Sequence, residues 1–193
     1  MSIDQLGRDA GLAVPRRYVV DWDRVEHDLG ASLPADYKSY VYWFGPGRFD
    51  DYLTVFVPGV VNSNVELVHA LSTERKVIHS RSQISGQPAL YAVYPEEGGV
   101  IPWAGTSDGD VLCWRTGSVD PGQWTIVGRP GRGRDIGYYD GGMVGFMHEF
   151  IWDAIEMSFI SEVDSDIPLA FQPTDGSRPG AGRPPLEQYG YFE

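Results

Sequence analysis

The stretch at 101–127, IPWAGTSDGDVLCWRTGSVDPGQWTIV, restricts the fold of this chain more than any other stretch. Two apolar runs flank the pair Asp108-Gly109, and an Asp-Gly pair tolerates the positive φ angles that tight hairpin turns require. A second turn signal, Asp-Pro-Gly at 120–122, precedes a third run of β-branched and aromatic residues. The sequence therefore predicts a three-stranded meander whose large tryptophans organise the core: Trp103, Trp114 and Trp124.

Two short helices are predicted on the N-terminal side of this meander. Asp21 offers an N-cap to an amphipathic helix that ends at Gly30. A second helix begins near Pro34, where proline is tolerated in the first turn, and ends at Gly-Pro-Gly, 45–47. The pair has the shape of a helix-turn-helix, but the second helix carries just Lys38 as a basic residue, which favours packing over DNA recognition.

The middle of the chain is predicted to combine strands with one long helix. Alternating apolar residues predict a strand at 49–57. Ser63 and Glu66 match a capping box, which predicts a helix running to about Arg81. Further elements follow in order: a strand at 90–94, a short strand at 136–139 and an amphipathic helix at 143–154. This order predicts an α+β domain with a mainly antiparallel sheet and helices packed largely on one side.

Composition divides the chain into three parts. Residues 1–20 show little periodicity and are predicted to form a loose N-terminal arm. Residues 21–160 are predicted to form a single folded domain, since 193 residues with 42% hydrophobic content suit one substantial core. Residues 161–193 are acidic and rich in proline and glycine, so they bury too little apolar area to offset the entropy of ordering. A flexible C-terminal tail is therefore predicted.

Charge and the absence of targeting patterns restrict the partners. A formal net charge of −12 disfavours nucleic acid and anionic membranes. A basic protein partner is compatible with this charge, and so is a role of the charge in solubility alone. The single cysteine, Cys113, has no second cysteine to pair with and is predicted to be a buried small apolar residue. The first residues lack the order of a secretory signal, and no apolar run approaches the roughly 18 residues of a membrane span. We therefore predict a cytoplasmic protein.

The residue patterns give no support to catalysis. The four histidines lack the spacing of a zinc site. Asp108-Gly109-Asp110 is too short for a calcium loop, because apolar residues follow where further oxygen ligands are required. Cys113 has no neighbouring base, and the glycine-rich basic loop at 128–134 lacks the lysine and hydroxyl of a phosphate-binding loop. We therefore expect no enzymatic activity, no cofactor and no metal.

Two groups of residues carry a family resemblance. The first is an acidic residue, Glu26, before Leu-Gly, followed by Leu-Pro-Ala-Asp-Tyr-Lys at 33–38 and Phe-Gly at 44–45. The second lies at 102–124 and comprises Pro-Trp, Asp-Gly-Asp, Leu-x-Trp, Thr-Gly and a further Trp. With these motifs the chain resembles bacterial members of the SUKH superfamily over roughly residues 21–157. That superfamily includes a yeast cell-wall-synthesis regulator and many bacterial toxin-immunity proteins.

The resemblance implies a non-enzymatic protein-binding module with a SUKH-like domain. Its most direct form is an immunity protein that neutralises a basic, nuclease-type toxin by direct contact, helped by electrostatic complementarity. The alternative is a regulatory or scaffold protein of the cell-wall-synthesis-regulator type with no toxin partner. The expected partner-binding residues are acids on turns and loops together with one aromatic anchor: Asp50, Asp51, Tyr52, Glu96, Glu97, Asp108, Asp110 and Asp120.

Overall fold

Seven β-strands form one sheet in the computed structural model, which describes residues 2–160 and 167–174. The strands are β1 (Gly47–Phe49), β2 (Leu53–Val55), β3 (Val100–Thr106), β4 (Val111–Arg115), β5 (Thr125–Arg129), β6 (Gly137–Tyr139) and β7 (Phe171–Pro173). The helices are α1 (Ile3–Asp9), α2 (Trp22–Leu29), α3 (Ala35–Phe44), α4 (Leu67–Ser85) and α5 (Met143–Ile151). The sheet order is β6-β5-β4-β3-β2-β1-β7, and all neighbouring strands are antiparallel. The predicted α+β class with an antiparallel sheet is therefore confirmed.

The meander of β3, β4 and β5 lies where the sequence predicts it. The β3–β4 turn has Gly109 at a φ of +86°, a left-handed conformation that suits glycine. Trp103 and Trp114 are buried and stack with ring centroids 6.0 Å apart, and Trp124 is 7% exposed. Ile101 pairs with Trp114, so alternation along β3 places Trp103 on the same face as Trp114, and the register shifts between Pro102 and Ala104. Trp103 and Trp114 therefore lie at the centre of the core, and Trp124 packs against Trp114 with ring centroids 6.4 Å apart.

Helices cover both faces of the sheet, but most lie on one. Alternate residues of a strand point to opposite sides, so Cys113 and Trp114 mark the two faces. Tyr37 of α3 packs edge-on against Trp114, with ring centroids 4.9 Å apart, and α5 and α1 pack on the same side. α4 lies against the opposite face, where Glu74 and the Cys113 side chain share the partner Tyr91. The prediction of helices largely on one side holds, with α4 as the exception.

Residues 3–9 form α1, so the prediction of a loose N-terminal arm is wrong for this segment. The Ser2 hydroxyl accepts a hydrogen bond from a backbone N–H of the first turn and caps the helix. Leu6 is buried, and a Cβ added to Gly7 would lie 2.6 Å from the Trp43 ring. Further along the arm, Tyr18 is 3% exposed. A helix of seven residues is too short to be stable by propensity, and its packing on α3 and α5 holds it in place.

The strand predicted at 49–57 is broken by a tight turn between β1 and β2. Asp50 and Asp51 adopt left-handed φ angles of 48° and 54°, a region that aspartate tolerates better than most residues. Apolar residues alternate on both sides of this turn, and that pattern indicates one continuous strand. The strand predicted at 90–94 is also absent from the described backbone, which has an isolated bridge at Val93 instead.

α4 begins later than the capping box predicts and runs to Ser85 rather than to about Arg81. Glu66 is itself the N-cap, since its carboxylate accepts a hydrogen bond from the His69 amide at 2.7 Å. Residues 63–65 form a 3₁₀ turn instead of the first helical turn. The closing helix α5 begins as predicted but ends at Ile151, three residues early.

Part of the predicted tail at 161–193 belongs to the folded domain. β7 pairs with β1 at the edge of the sheet, and the Phe171 ring lies against Phe49 with centroids 5.4 Å apart. Gly47 is needed for this contact, because a Cβ on it would overlap the Phe171 ring. The backbone amides of Leu169 and Thr174 also donate to Ile151 and Pro46, so the tail prediction is wrong for this segment. The rest of the predicted tail, 161–166 and 175–193, lies outside the described residues.

Candidate protein-binding surfaces

The eight residues expected to bind a partner lie at opposite ends of the sheet. The β1–β2 turn at 50–52 lies beside the β3–β4 turn at 107–110, and the Ser107 amide donates to the Tyr52 carbonyl at 2.9 Å. The loops before β3 and after β4 lie at the other end, because an antiparallel strand enters at the end opposite to its exit. We define the turn end as Asp50, Asp51, Tyr52, Asp108 and Asp110, and the groove end as Glu96, Glu97 and Asp120.

Asp110 is a buried structural residue. It is 4% exposed, and its carboxylate accepts hydrogen bonds from the Thr106 hydroxyl at 2.6 Å and from the Gly131 amide at 2.8 Å. These bonds tie the β3–β4 turn to the loop that follows β5. Because Asp110 is buried, it is not one of the exposed acids that are expected to contact a partner.

Asp110→Ala is expected to lower the free energy of unfolding by about 1–3 kcal/mol, because Thr106 and Gly131 would lose a partly buried acceptor. As a control, Glu97→Ala removes an exposed carboxylate and is expected to change this free energy by less than about 0.5 kcal/mol. Urea unfolding of both variants measures the difference. Equal losses of stability would contradict the structural role of Asp110.

Two further residues of the turn end already have partners within the chain. Asp51 forms an ion pair with Arg48 at 2.5 Å, although its side chain remains 66% exposed. The Tyr52 ring is half-buried and lies parallel to Phe150 with centroids 6.4 Å apart, so much of this expected anchor belongs to the core. Asp50 and Asp108 are also exposed at this end.

The groove end contains an open groove of about 320 Å³. Apolar side chains, including Val119 and Trp124, line part of it, while Glu96 and Glu97 contribute carboxylates. Three segments form the groove: residues 31–32 between α2 and α3, residues 94–98 before β3, and residues 116–124 between β4 and β5. This mixed lining suits a ligand with both an apolar part and a positive charge.

Side-chain hydrogen bonds join the three segments of the groove. The Tyr94 hydroxyl donates to the Gly30 carbonyl, which links the second segment to the first. The Thr116 hydroxyl donates to the Gly99 carbonyl at 2.6 Å, which links the third segment to the second. The groove is therefore held open by the fold before any partner binds.

The glutamates of the groove differ from the other acid at this end. Both Glu96 and Glu97 are exposed, and no ion pair to either is found within residues 2–160 and 167–174. The carboxylate of Asp120, by contrast, accepts a hydrogen bond from the Gly122 amide at 2.9 Å and so stabilises its own loop. One cation lies beside the groove, since Arg75 of α4 donates to the backbone carbonyl of residue 94.

A buried ion pair between Glu74 and Arg129 escaped the sequence analysis. Two hydrogen bonds of 2.5 Å join the Glu74 carboxylate to Arg129 Nε and Nη2, and the residues are 3% and 4% exposed. The Tyr91 hydroxyl also donates to Glu74, at 2.6 Å. Glu74 lies four residues before Ile78 and therefore on the same apolar face of α4. This spacing is the sequence signal that could have indicated a buried carboxylate. Arg75, the next residue of α4, is exposed.

The surroundings of this pair keep Cys113 in its unreactive form. Burial raises the pKa of the Cys113 thiol well above its ordinary value, and the negative charge of Glu74 raises it further. Burial lowers the pKa of Arg129, but its hydrogen bonds to Glu74 more than offset this, so the guanidinium stays charged. A protonated, fully buried thiol is not a nucleophile. The prediction that Cys113 is a buried small apolar residue is confirmed.

Labelling of Cys113 by iodoacetamide is expected to require unfolding. The rate should rise with urea in parallel with the unfolded fraction, because burial hides the thiol and holds it protonated. By linkage, the raised pKa of the folded thiol stabilises the fold below the unfolded value of about 8.5 and less so as pH rises above it. Labelling of the native protein at the rate of a free thiol would contradict this.

No protein-family model, curated protein or solved structure matches this chain. Among the described residues, no helix combines the length and hydropathy needed to cross a membrane. The same residues include no group of three or more His, Cys, Asp or Glu side chains that could hold a metal ion. The resemblance to the SUKH superfamily and the expectation of no enzymatic activity stay predictions.

Proposed function

We propose that this chain is a non-enzymatic protein-binding module of the SUKH type, acting in the cytoplasm as an immunity protein that neutralises a basic, nuclease-type toxin. The motifs at 26–45 and 102–124 support the family. The formal net charge of −12 supports a basic partner.

A set of exposed carboxylates on a rigid frame carries this proposal. The turns and loops that bear them are tied to one another and to a sheet that is covered by helices on both faces. Carboxylates held in fixed positions speed association with a basic protein and select the partner whose charges match. The exposed members of the expected set are Asp50, Asp51, Glu96, Glu97, Asp108 and Asp120.

Neutralisation would follow from competition for the toxin's basic residues. A nuclease holds the phosphate backbone of its substrate mainly through Lys and Arg side chains. An acidic protein that covers those side chains removes the contacts that position the substrate. The proposal therefore requires no chemistry from this chain.

Co-expression with a basic, nuclease-type toxin domain from a neighbouring gene tests the proposal, and the lack of any such gene would count against the immunity function. We expect the full chain to restore growth and to form a complex with the toxin whose association slows as ionic strength rises. Full toxicity without a complex would overturn the immunity function. A complex with a cell-wall-synthesis protein, without protection from a toxin, would favour the regulatory alternative.

A shortened chain that ends at Thr174 tests whether the tail takes part. Ending the chain at Ile160 would also remove β7 and its pairing with β1, so a loss of binding would then reflect damage to the sheet. Retention of the toxin by both the full and the shortened chain would place the interface on the folded domain.

A further inference from the structure

We propose that the groove receives one arginine or lysine side chain of the partner, so that the groove end, rather than the turn end, is the centre of the interface. The identity of the partner rests on the proposed function. The preference of the groove for a cationic side chain rests on its own geometry.

The two ends of the sheet differ in the charge that they leave available. At the turn end, Asp50 and Asp108 are exposed, but Asp51 is paired with Arg48 at 2.5 Å, and Asp110 is buried with its carboxylate hydrogen-bonded inside the chain. At the groove end, Glu96 and Glu97 are exposed, and no ion pair to either is found among the described residues. A partner cation therefore competes with no internal ion pair for these two glutamates.

The shape of the groove matches a long cationic side chain. Arg and Lys carry an apolar stem and a charged head, and they bind where an apolar wall lies beside acceptors. Val119 is fully exposed and lines the groove with Trp124, while Glu96 and Glu97 supply the acceptors. The volume of about 320 Å³ is at the low end of the roughly 300–1,000 Å³ of ligand pockets, which suits one side chain.

The groove is also formed before binding. The Trp124 indole N–H donates to the Ser118 carbonyl at 2.7 Å, which fixes the wall of the third segment. The Tyr94 and Thr116 hydroxyls join the other segments. Little ordering is therefore needed when a side chain enters, and this lowers the entropic cost of binding.

A titration with a short peptide tests the groove without the toxin. The probe is acetyl-Gly-Arg-Gly-amide, its control is the same peptide with neutral citrulline in place of arginine, and ¹H–¹⁵N NMR of the full chain is the readout. We expect the arginine peptide to shift resonances of residues 94–98 and 116–124, including the Trp124 indole N–H. No shifts, equal shifts with citrulline, or shifts spread over both ends would overturn the proposal.

A matched pair of double variants separates the groove from general acidity. Glu96→Gln with Glu97→Gln, and Asp50→Asn with Asp51→Asn, change the net charge equally at exposed positions of the two ends. The first pair is expected to weaken peptide binding about three- to tenfold, as for the loss of two partly exposed ion pairs. The second pair is expected to leave it unchanged, and equal weakening by both would refute the groove. Unchanged spectra away from the substitutions verify that both variants fold.

The same variants in toxin binding keep this inference distinct from the proposed function. Toxin binding that is weakened by the Asp50 and Asp51 pair but not by the Glu96 and Glu97 pair would refute the groove and leave the immunity function standing. Peptide binding in the groove without any toxin binding would support the groove and refute the immunity function.

Discussion

Glu74→Ala is expected to lower the free energy of unfolding by about 3–5 kcal/mol, the cost of leaving a buried charge without its partner. The Arg129 side chain is 5% exposed, and the two 2.5 Å hydrogen bonds to Glu74 are its shortest contacts with an acceptor. Tyr91 would lose its acceptor as well. A loss of this size is a large fraction of the total free energy of unfolding of a domain, which is typically about 5–15 kcal/mol. Urea unfolding with linear extrapolation measures it.

A surface pair of equal length provides the control. Arg48 and Asp51 also approach to 2.5 Å, but their side chains are 48% and 66% exposed, so Arg48→Ala is expected to cost about 0–1 kcal/mol. The double variant Glu74→Leu with Arg129→Met replaces the buried pair by apolar side chains and should be more stable than Glu74→Ala. Equal costs for Glu74→Ala and Arg48→Ala would show that burial does not govern these pairs.

Phe171→Ala is expected to lower the free energy of unfolding by about 3 kcal/mol, at the low end for deletion of a buried phenylalanine ring because β7 is an edge strand. The ring lies 5.0 Å from the Phe44 ring and 5.4 Å from the Phe49 ring between centroids, and the residue is 6% exposed. The neighbouring Gln172 is exposed, so Gln172→Ala should change stability by less than about 0.5 kcal/mol. Thermal or urea unfolding of the full chain compares the two. A negligible effect of Phe171→Ala would show that residues around 171 behave as the loose tail that composition predicts.

Local signals in the sequence were sufficient to predict the elements that are bounded by clear turn or capping residues. The Asp-Gly turn and the flanking apolar runs predicted β3 and β4, and the Asp21 cap and the Gly30 stop bound α2 as expected. These signals act over a few residues, through turn conformation and capping, so they survive without knowledge of the rest of the chain.

Elements that depend on distant partners were missed. α1 is seven residues long, and β7 is three residues inside a segment rich in proline and glycine; each is stabilised by packing on other elements. The Asp50-Asp51 turn was hidden by apolar residues that alternate on both sides of it. In each case a weak local preference is overridden by tertiary contacts.

The candidate site shows the same division. Glu96, Glu97, Asp108 and Asp120 lie on turns and loops as predicted, whereas Asp50 and Asp51 lie on a turn inside a predicted strand. The grouping of the acids into two ends and the burial of Asp110 follow from strand register, which composition does not encode. The groove joins segments that are far apart in the sequence, from 31–32 to 116–124.

By itself, the sequence determined the α+β class, the central meander and a net charge of −12, because turn chemistry, hydrophobic periodicity and charge are local or additive properties. The tertiary structure decided which of the described acids remain exposed, how Glu74 meets Arg129 across 55 positions, and where three loops enclose a groove. These outcomes depend on which strands pair and in which register, and that choice is made by the packing of the whole core.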